Sequence, residues 1–353
     1  MALKLGINLG YWGIGPQGDE AVEAVRAAER AGFDSVWAAE SYGSDVVSVL
    51  AWLAAQTETI KLGAAIMQVP ARPPAAAAMA GCTIDALSGG RFIFGFGPSG
   101  PQVSEGWYGV PYAKPWGRTR EYVEIVRKVV AREGRLEYEA EHYRLPLPGG
   151  EGKALKLNFH PLRNRIPIFL GAIGRKSVEL AAEIADGWIP IFSSPDAFEP
   201  TWGEHVEAGL AKAGRERSEL EISPTVQVAI DGDVEAARAV VKAGLLLYLG
   251  GMGSRKTNFY VDLTHRFGFG EVADTVQSLY LDGQREEAYG AIPDELADAT
   301  SLVGSEAEVA SRLERYEAAG VDRLIVSPIS PELEQRKHTV HRLAELAGVG
   351  APA

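Results

Sequence analysis

A helix end, a glycine stop and a short apolar strand recur along this chain, and few folds accommodate that repeat. Ala28-Glu29-Arg30-Ala31-Gly32-Phe33-Asp34-Ser35-Val36-Trp37 is echoed by Tyr316-Glu317-Ala318-Ala319-Gly320-Val321-Asp322-Arg323-Leu324-Ile325-Val326, and more loosely by Ala181-Ala182-Glu183-Ile184-Ala185-Asp186-Gly187-Trp188-Ile189. Glycine reaches the left-handed conformation that closes a helix. The unbroken apolar strand that follows suits a parallel sheet covered on both faces. Reading outward gives eight strand candidates, at residues 3–9, 35–39, 61–66, 91–97, 166–171, 187–192, 221–230 and 323–327, with amphipathic stretches between most of them. Residues 19–31, for example, place Val22 and Val25 one turn apart on an inner face. Helix starts are expected at Ser194-Pro195, at Ser330-Pro331 and at the capping box Ser305–Glu308. Eight parallel strands, each followed by a helix, predict an α/β fold of the (β/α)8 TIM-barrel class, with an open doubly wound sheet as the structural rival.

Two stretches break the alternation, residues 98–117 after the fourth strand and residues 250–299 between the seventh and eighth. In a barrel such insertions after strands lie on the catalytic face. Residues 135–157 read as a hairpin, and no low-complexity linker divides residues 1–353, so a single domain is expected. The formal net charge of −12 argues against nucleic acid and against a polybasic membrane contact. The one cysteine, Cys82, excludes an intramolecular disulfide framework and a multi-thiolate metal site. Residues 1–6 read as a strand rather than a signal peptide, and the expected location is the cytoplasm.

Several motifs point to a ligand. Gly171-Ala172-Ile173-Gly174-Arg175-Lys176-Ser177 ends a strand and opens a helix. Small residues let backbone amides reach an anion, Ser177 offers a hydroxyl, and Arg175 and Lys176 add charge; a plain glycine turn is the alternative. Gly95-Phe96-Gly97-Pro98-Ser99-Gly100 matches the dinucleotide fingerprint, but Pro101 and the residues after it do not offer the required helix, so it reads as a turn lining a pocket. Glu40 and Ser41 close the second strand, where a carboxylate orients a cofactor, moves a proton, or serves as a cap or ion pair. Ala64–Pro70 stays apolar where a polar loop is usual. Tyr11, Trp12, Trp107, Tyr108 and Trp116 fall in loops after strands, as a flat ligand's pocket would need. His338 and His341 have no further ligands nearby in sequence and read as surface residues.

Together these segments resemble the luciferase-like monooxygenase superfamily, and within it the coenzyme F420-dependent branch. The resemblance is carried by Leu5–Asn8, Asp34–Asp45, Thr57–Gly63 with Pro70–Pro74, Asp85–Phe92, Gly95–Gly100, Ala182–Gly187 and Ala319–Val326. It implies a barrel with insertions, a homodimer, and a non-prolyl cis peptide at Ala65–Ile66 behind a flavin-like ring. It sets Asn8, Glu40, Ala65, Ile66 and Gly97 on the ring side and the cofactor phosphate on Gly171–Ser177. Ser41 stands where several F420-dependent relatives have a catalytic histidine, and a neutral hydroxyl is a poor acid or base near neutrality. Glu40 and Glu105 are then the candidates for proton transfer. The implied activity is hydride transfer between the deazaflavin C5 and a small organic substrate. The alternatives are an FMN monooxygenase using oxygen and a non-catalytic flavin-binding protein.

Overall fold

The computed structural model describes residues 3–11, 18–256 and 258–350; Met1, Ala2 and Trp12 lie outside them. The strands are β1 (Lys4–Tyr11), β2 (Ser35–Ala39), β3 (Lys61–Ala64), β4 (Met67–Gln68), β5 (Phe92–Gly97), β6 (Tyr138–Glu139), β7 (Arg144–Leu145), β8 (Ile168–Gly171), β9 (Gly187–Ile189), β10 (Glu221–Ile222), β11 (Thr225–Ile230), β12 (Ser301–Gly304) and β13 (Arg323–Pro328). The helices are α1 (Gly18–Arg30), α2 (Val46–Ala54), α3 (Pro74–Leu87), α4 (Pro101–Gly106), α5 (Pro115–Ala131), α6 (Arg175–Ile184), α7 (Pro195–Ala213), α8 (Val234–Leu246), α9 (Phe259–Arg266), α10 (Gly270–Leu281), α11 (Arg285–Gly290), α12 (Asp294–Ala299), α13 (Glu306–Ala318) and α14 (Leu333–Leu346). None is long and apolar enough to cross a membrane, among the described residues.

The architecture is α/β, built on one curled parallel sheet in the order β10-β9-β8-β5-β3-β2-β1-β13-β11-β12, with β4 beside β5. The pair β6–β7 forms the separate antiparallel hairpin expected at residues 135–157. Ser223 and Pro224 interrupt the expected strand 221–230, yet this segment keeps neighbours on both sides. Ser223 N donates to the Trp188 carbonyl at 2.8 Å, and Ile325 N donates to the Pro224 carbonyl at 2.9 Å. The pairing of β12 with β11 was not anticipated, because Ser-Leu-Val-Gly is too short to show alternation.

Two of the three junctions behave as read. Gly32 and Gly320 take φ of +89° and +79° and stop α1 and α13. Gly187 has another purpose: it is the first residue of β9, and the Phe169 ring occupies the space a side chain would need. The capping box is present, with Ser305 N donating to Glu308 Oε2 at 2.8 Å. Ser194 sits at the α7 N-cap without a capping bond from its side chain, and α14 starts after Glu332 rather than Ser330. A short helix, α4, does open at Pro101, where none was expected. It begins after the last glycine of the fingerprint, and the strand order is not that of a doubly wound dinucleotide fold.

Inside the curl, Trp37, Ile93, Phe169, Ile189 and Ile325 form their own buried cluster. Each such side chain contributes roughly 2–3 kcal/mol through burial. Arg323 lies 5.6 Å from the Trp37 ring and bonds Asp34 Oδ2 at 2.5 Å and Glu221 Oε1 at 2.9 Å. This charged group sits at the N-terminal ends of the strands. The opposite ends are left for the residues singled out above.

Candidate functional site

After β3 the chain makes the Ala65–Ile66 cis peptide and re-enters the sheet as β4, where Met67 pairs with Phe96 and Gln68 with Gly97. The Ile66 side chain fills a slot between two glycines: a Cβ on Gly97 would run into Ile66 Cδ1, and one on Gly171 would lie 3.0 Å from its Cγ2. Gly97 therefore serves the site by making room for Ile66. Ala65 packs on the inner cluster, and its amide donates to the Ala38 carbonyl at 2.7 Å.

Glu40 holds this bulge. Its Oε1 accepts from Gln68 N at 2.7 Å and from Arg72 Nη1 at 2.9 Å; its Oε2 accepts from Arg72 Nη2 at 2.9 Å and from Val46 N at 3.4 Å. Burial works against the Arg72 charge, but Glu40 and Asp45 outweigh it and raise the guanidinium's pKa. A carboxylate so fully bonded is an ion-pair anchor, the last of the readings open from sequence. It has no lone pair free for proton transfer, so that expected role does not fit.

Gln68 extends the network. Its Nε2 donates to Ser99 Oγ at 2.7 Å, and its Oε1 accepts from the Tyr108 hydroxyl at 3.0 Å. Tyr108 also reaches the Ser41 carbonyl at 3.3 Å, and Tyr112 donates to the Ser99 carbonyl at 3.1 Å. Ser41 itself is half-buried beside Glu40. Glu105 is exposed on α4, where its carboxylate accepts from Tyr112 N at 3.0 Å. It braces the insertion from outside, and this geometry does not support a role in proton transfer. Trp107 is exposed, and Trp116 packs against the main core rather than forming a pocket wall.

The loop after β8 is held from behind. Trp188 Nε1 donates to the Ala172 carbonyl at 2.8 Å, and the Ile173 carbonyl accepts from Trp202 Nε1 at 3.1 Å and Arg266 Nη2 at 2.9 Å. With the carbonyls occupied, the amides of Gly174, Arg175 and Lys176 carry no hydrogen bond to a described residue. Gly174 caps α6, so these amides stand at the positive end of the helix. Arg175 and Lys176 are exposed and form no ion pair with a described residue. Ser177 is different: it is buried and its hydroxyl donates to the Gly174 carbonyl at 2.7 Å, so its proton is not available to an anion.

On the remaining arc, Asn8 Nδ2 donates to Ser327 Oγ at 2.9 Å, tying β1 to β13. Tyr11 pairs with Ala39, one residue before Glu40. It lies beside Tyr248, and burial raises the pKa of both phenols. Tyr248 lies in a π-helical turn, Leu247–Gly251, and stacks edge-on with Phe192 and Tyr260 at 4.7 Å each. A π turn of this kind is common at functional sites. The structure thus gathers Asn8, Glu40, Ser41, Ala65, Ile66, Gly97 and Gly171–Ser177 at one end of the sheet. Sequence reasoning missed Gln68, Arg72, Tyr248, Tyr260 and Arg266. Only Gln68 left a local sign, as the one polar residue in an apolar run.

The family described as luciferase-like monooxygenase matches residues 8–323. A Mycobacterium tuberculosis protein, named provisionally as a coenzyme F420-dependent oxidoreductase, is 49% identical over 94% of this chain and 96% of its own. The 5,10-methylenetetrahydromethanopterin reductase of Archaeoglobus fulgidus is 33% identical over 87% of this chain and 89% of its own. Among solved structures, the coenzyme F420-dependent tetrahydromethanopterin reductase of Methanopyrus kandleri superposes with a TM-score of 0.81 at 26% identity, covering 98% of both chains.

Proposed function

We propose that this chain, which belongs to the luciferase-like monooxygenase family, is a coenzyme F420-dependent oxidoreductase acting on a small organic substrate. The observation that carries the reading is the junction of two surfaces. An amide-lined anion cradle at Gly174–Lys176 adjoins, through Gly171 and Ile66, the cis-peptide bulge expected behind a flat ring. The donors match the group: amides and two cations that have no partner among the described residues suit a phosphodiester, and the Ile66 surface suits an apolar ring face.

When bound, the deazaflavin supplies or accepts a hydride at C5, which defines the reaction class. The chain's own task is to hold, orient and exclude water. Glu40 and Arg72 keep the bulge in place, and Gln68 couples it to the β5 loop. Tyr11, Phe192, Tyr248 and Tyr260 form the substrate wall. Tyr11, which burial keeps protonated, takes the proton-transfer role that Ser41, Glu40 and Glu105 do not fill.

The scaffold is read as one (β/α)8 barrel over residues 1–353, with insertions after its fourth and seventh strands; the bonds of Ser223 and Ile325 around β10 and β11 support closure of the sheet. The working unit is a homodimer, for which the uncharged outer faces of α2 and α3 are the best support.

Titration of the apo-protein with F420 and, separately, FMN tests the reading by ligand fluorescence. Tight F420 binding with weak FMN binding is expected. The reverse preference overturns it and directs attention to oxygen-dependent turnover.

A further inference from the structure

Arg266 is the last residue of α9, in the insertion that separates β11 from β12, and it is 93 residues from the carbonyl it grips, that of Ile173. Only part of its fork is used there. Nη2 bonds Ile173, Nε makes a long 3.4 Å contact with the Asp262 carbonyl, and Nη1 is buried with no hydrogen-bond partner among the described residues. A buried guanidinium nitrogen without a partner costs stability unless something else satisfies it. Burial opposes the Arg266 charge, and the nearby Arg175 opposes it further. Neither arginine forms an ion pair among the described residues; Asp262, exposed on the same helix, is the one acid that favours Arg266. Two like charges beside three unbonded amides, neither of them in an ion pair with a described residue, are the complement of an anion.

The placement of α9 is firm. Asn258 caps it and ties it to the π turn through the Leu249 carbonyl at 2.7 Å, while Phe267 packs edge-on against Trp202 at 5.7 Å. Trp202 is the same residue that supports the Ile173 carbonyl. The insertion therefore meets the cradle through one side chain carrying spare donors.

We infer that Arg266 is a specificity-determining residue that completes the cradle, so that the insertion between β11 and β12 closes on the phosphodiester of the cofactor. This rests on the F420 reading above and adds to it a residue from a distant segment and a preference for the phosphorylated form. The same chemistry would serve a phosphate on the substrate, and the experiment separates the two sources.

Binding of F420 is compared with binding of FO, the same deazaflavin ending at its ribityl chain with no phosphodiester, for the wild type, Arg266→Gln and Arg266→Lys. Gln retains a donor for the Ile173 carbonyl but loses the charge and the fork. Lys keeps the charge, but its single ammonium cannot span both partners. Both variants should bind F420 about tenfold or more weakly, as loss of a charge-assisted bond implies, with FO affinity held within about twofold. Hydrogen exchange in residues 259–266 should slow with F420 and not with FO. Variants that keep the full F420 preference overturn the inference, as does equal protection by FO; a substrate phosphate site gives that first result together with lost binding of inorganic phosphate. A wild type that binds F420 and FO equally would instead sink the cradle reading itself.

Discussion

Arg72 lays its guanidinium across both carboxylate oxygens of Glu40, each contact at 2.9 Å, with the Glu40 side chain only 3% exposed. Glu40 is thus the clamp of the cis-peptide bulge, and its replacement tests structure before chemistry. Glu40→Gln leaves a largely buried guanidinium with Asp45 as its only acid, a loss of about 3 kcal/mol for a broken buried pair. Denaturant unfolding should show that loss, and cofactor affinity should fall with it because one amide oxygen cannot accept from Gln68 N, Val46 N and both Arg72 nitrogens together. A variant as stable as the wild type and deficient only in turnover would return Glu40 to proton transfer.

How far the sequence revealed this site depends on the range of each contact. The Gly32 and Gly320 junctions were readable because a left-handed stop and the strand after it are neighbours in the chain. The anion loop was readable for the same reason: Gly171–Ser177 carries strand end, turn and helix start together. The partner of Glu40 was not, since Arg72 is 32 residues away and nothing in the spacing announces the pair. The Tyr11–Tyr248 contact joins β1 to the far insertion, where a π turn has no recognisable pattern. The sequence also invited two errors. Ser177 looked like an anion donor until its hydroxyl proved bonded inside its own turn, and Glu105 looked like a base until it proved to be an exposed brace.

At the opposite pole, Arg323 is 1% exposed and faces Asp34 and Glu221, and its charge, acting against the burial of Asp34, lowers that carboxyl's pKa. A carboxyl held below its unfolded value adds stability above that value, and the contribution is lost as pH falls through the folded pKa. For Asp34 that window lies below about pH 4. Arg323→Met should cost up to about 3 kcal/mol at neutral pH by leaving Asp34 and Glu221 with only the outer cations Lys61 and Lys4. The gap between variant and wild type should narrow as acid protonates those carboxylates. Unfolding curves at neutral pH and at pH 3 check this; a pH-independent gap would mean that lost packing on Trp37, rather than charge, is responsible.

Two glycines of β5 should respond differently to the same methyl group. On Gly95 it would strike the Ala64 carbonyl oxygen, a backbone atom in the sheet that cannot move aside. On Gly97 it meets the flexible end of Ile66. Gly95→Ala should therefore fail to fold or lose well over 3 kcal/mol, beyond the usual range for overpacking. Gly97→Ala should fold at a cost of about 1–3 kcal/mol and displace Ile66, weakening cofactor binding by more than its stability loss implies. Expression, thermal midpoint and F420 affinity of the two variants distinguish these outcomes. Equal behaviour would show that the Ile66 slot is not a feature of the site.

The outer faces of α2 and α3 bear on assembly. The two helices contain one charged residue, Asp85, which is buried and paired with Arg163, while Trp52, Met79 and Leu87 are 37%, 54% and 64% exposed. In a chain of net charge −12, two copies repel each other except where such an uncharged face is presented. Met79→Glu places a like charge at the centre of this face in both copies. Because the position is exposed, monomer stability should change by no more than about 0.5 kcal/mol. Sedimentation should find the wild type dimeric and the variant monomeric at the same concentration. A monomeric wild type would remove the dimer from the proposal, and a dimeric variant would move the interface to another face.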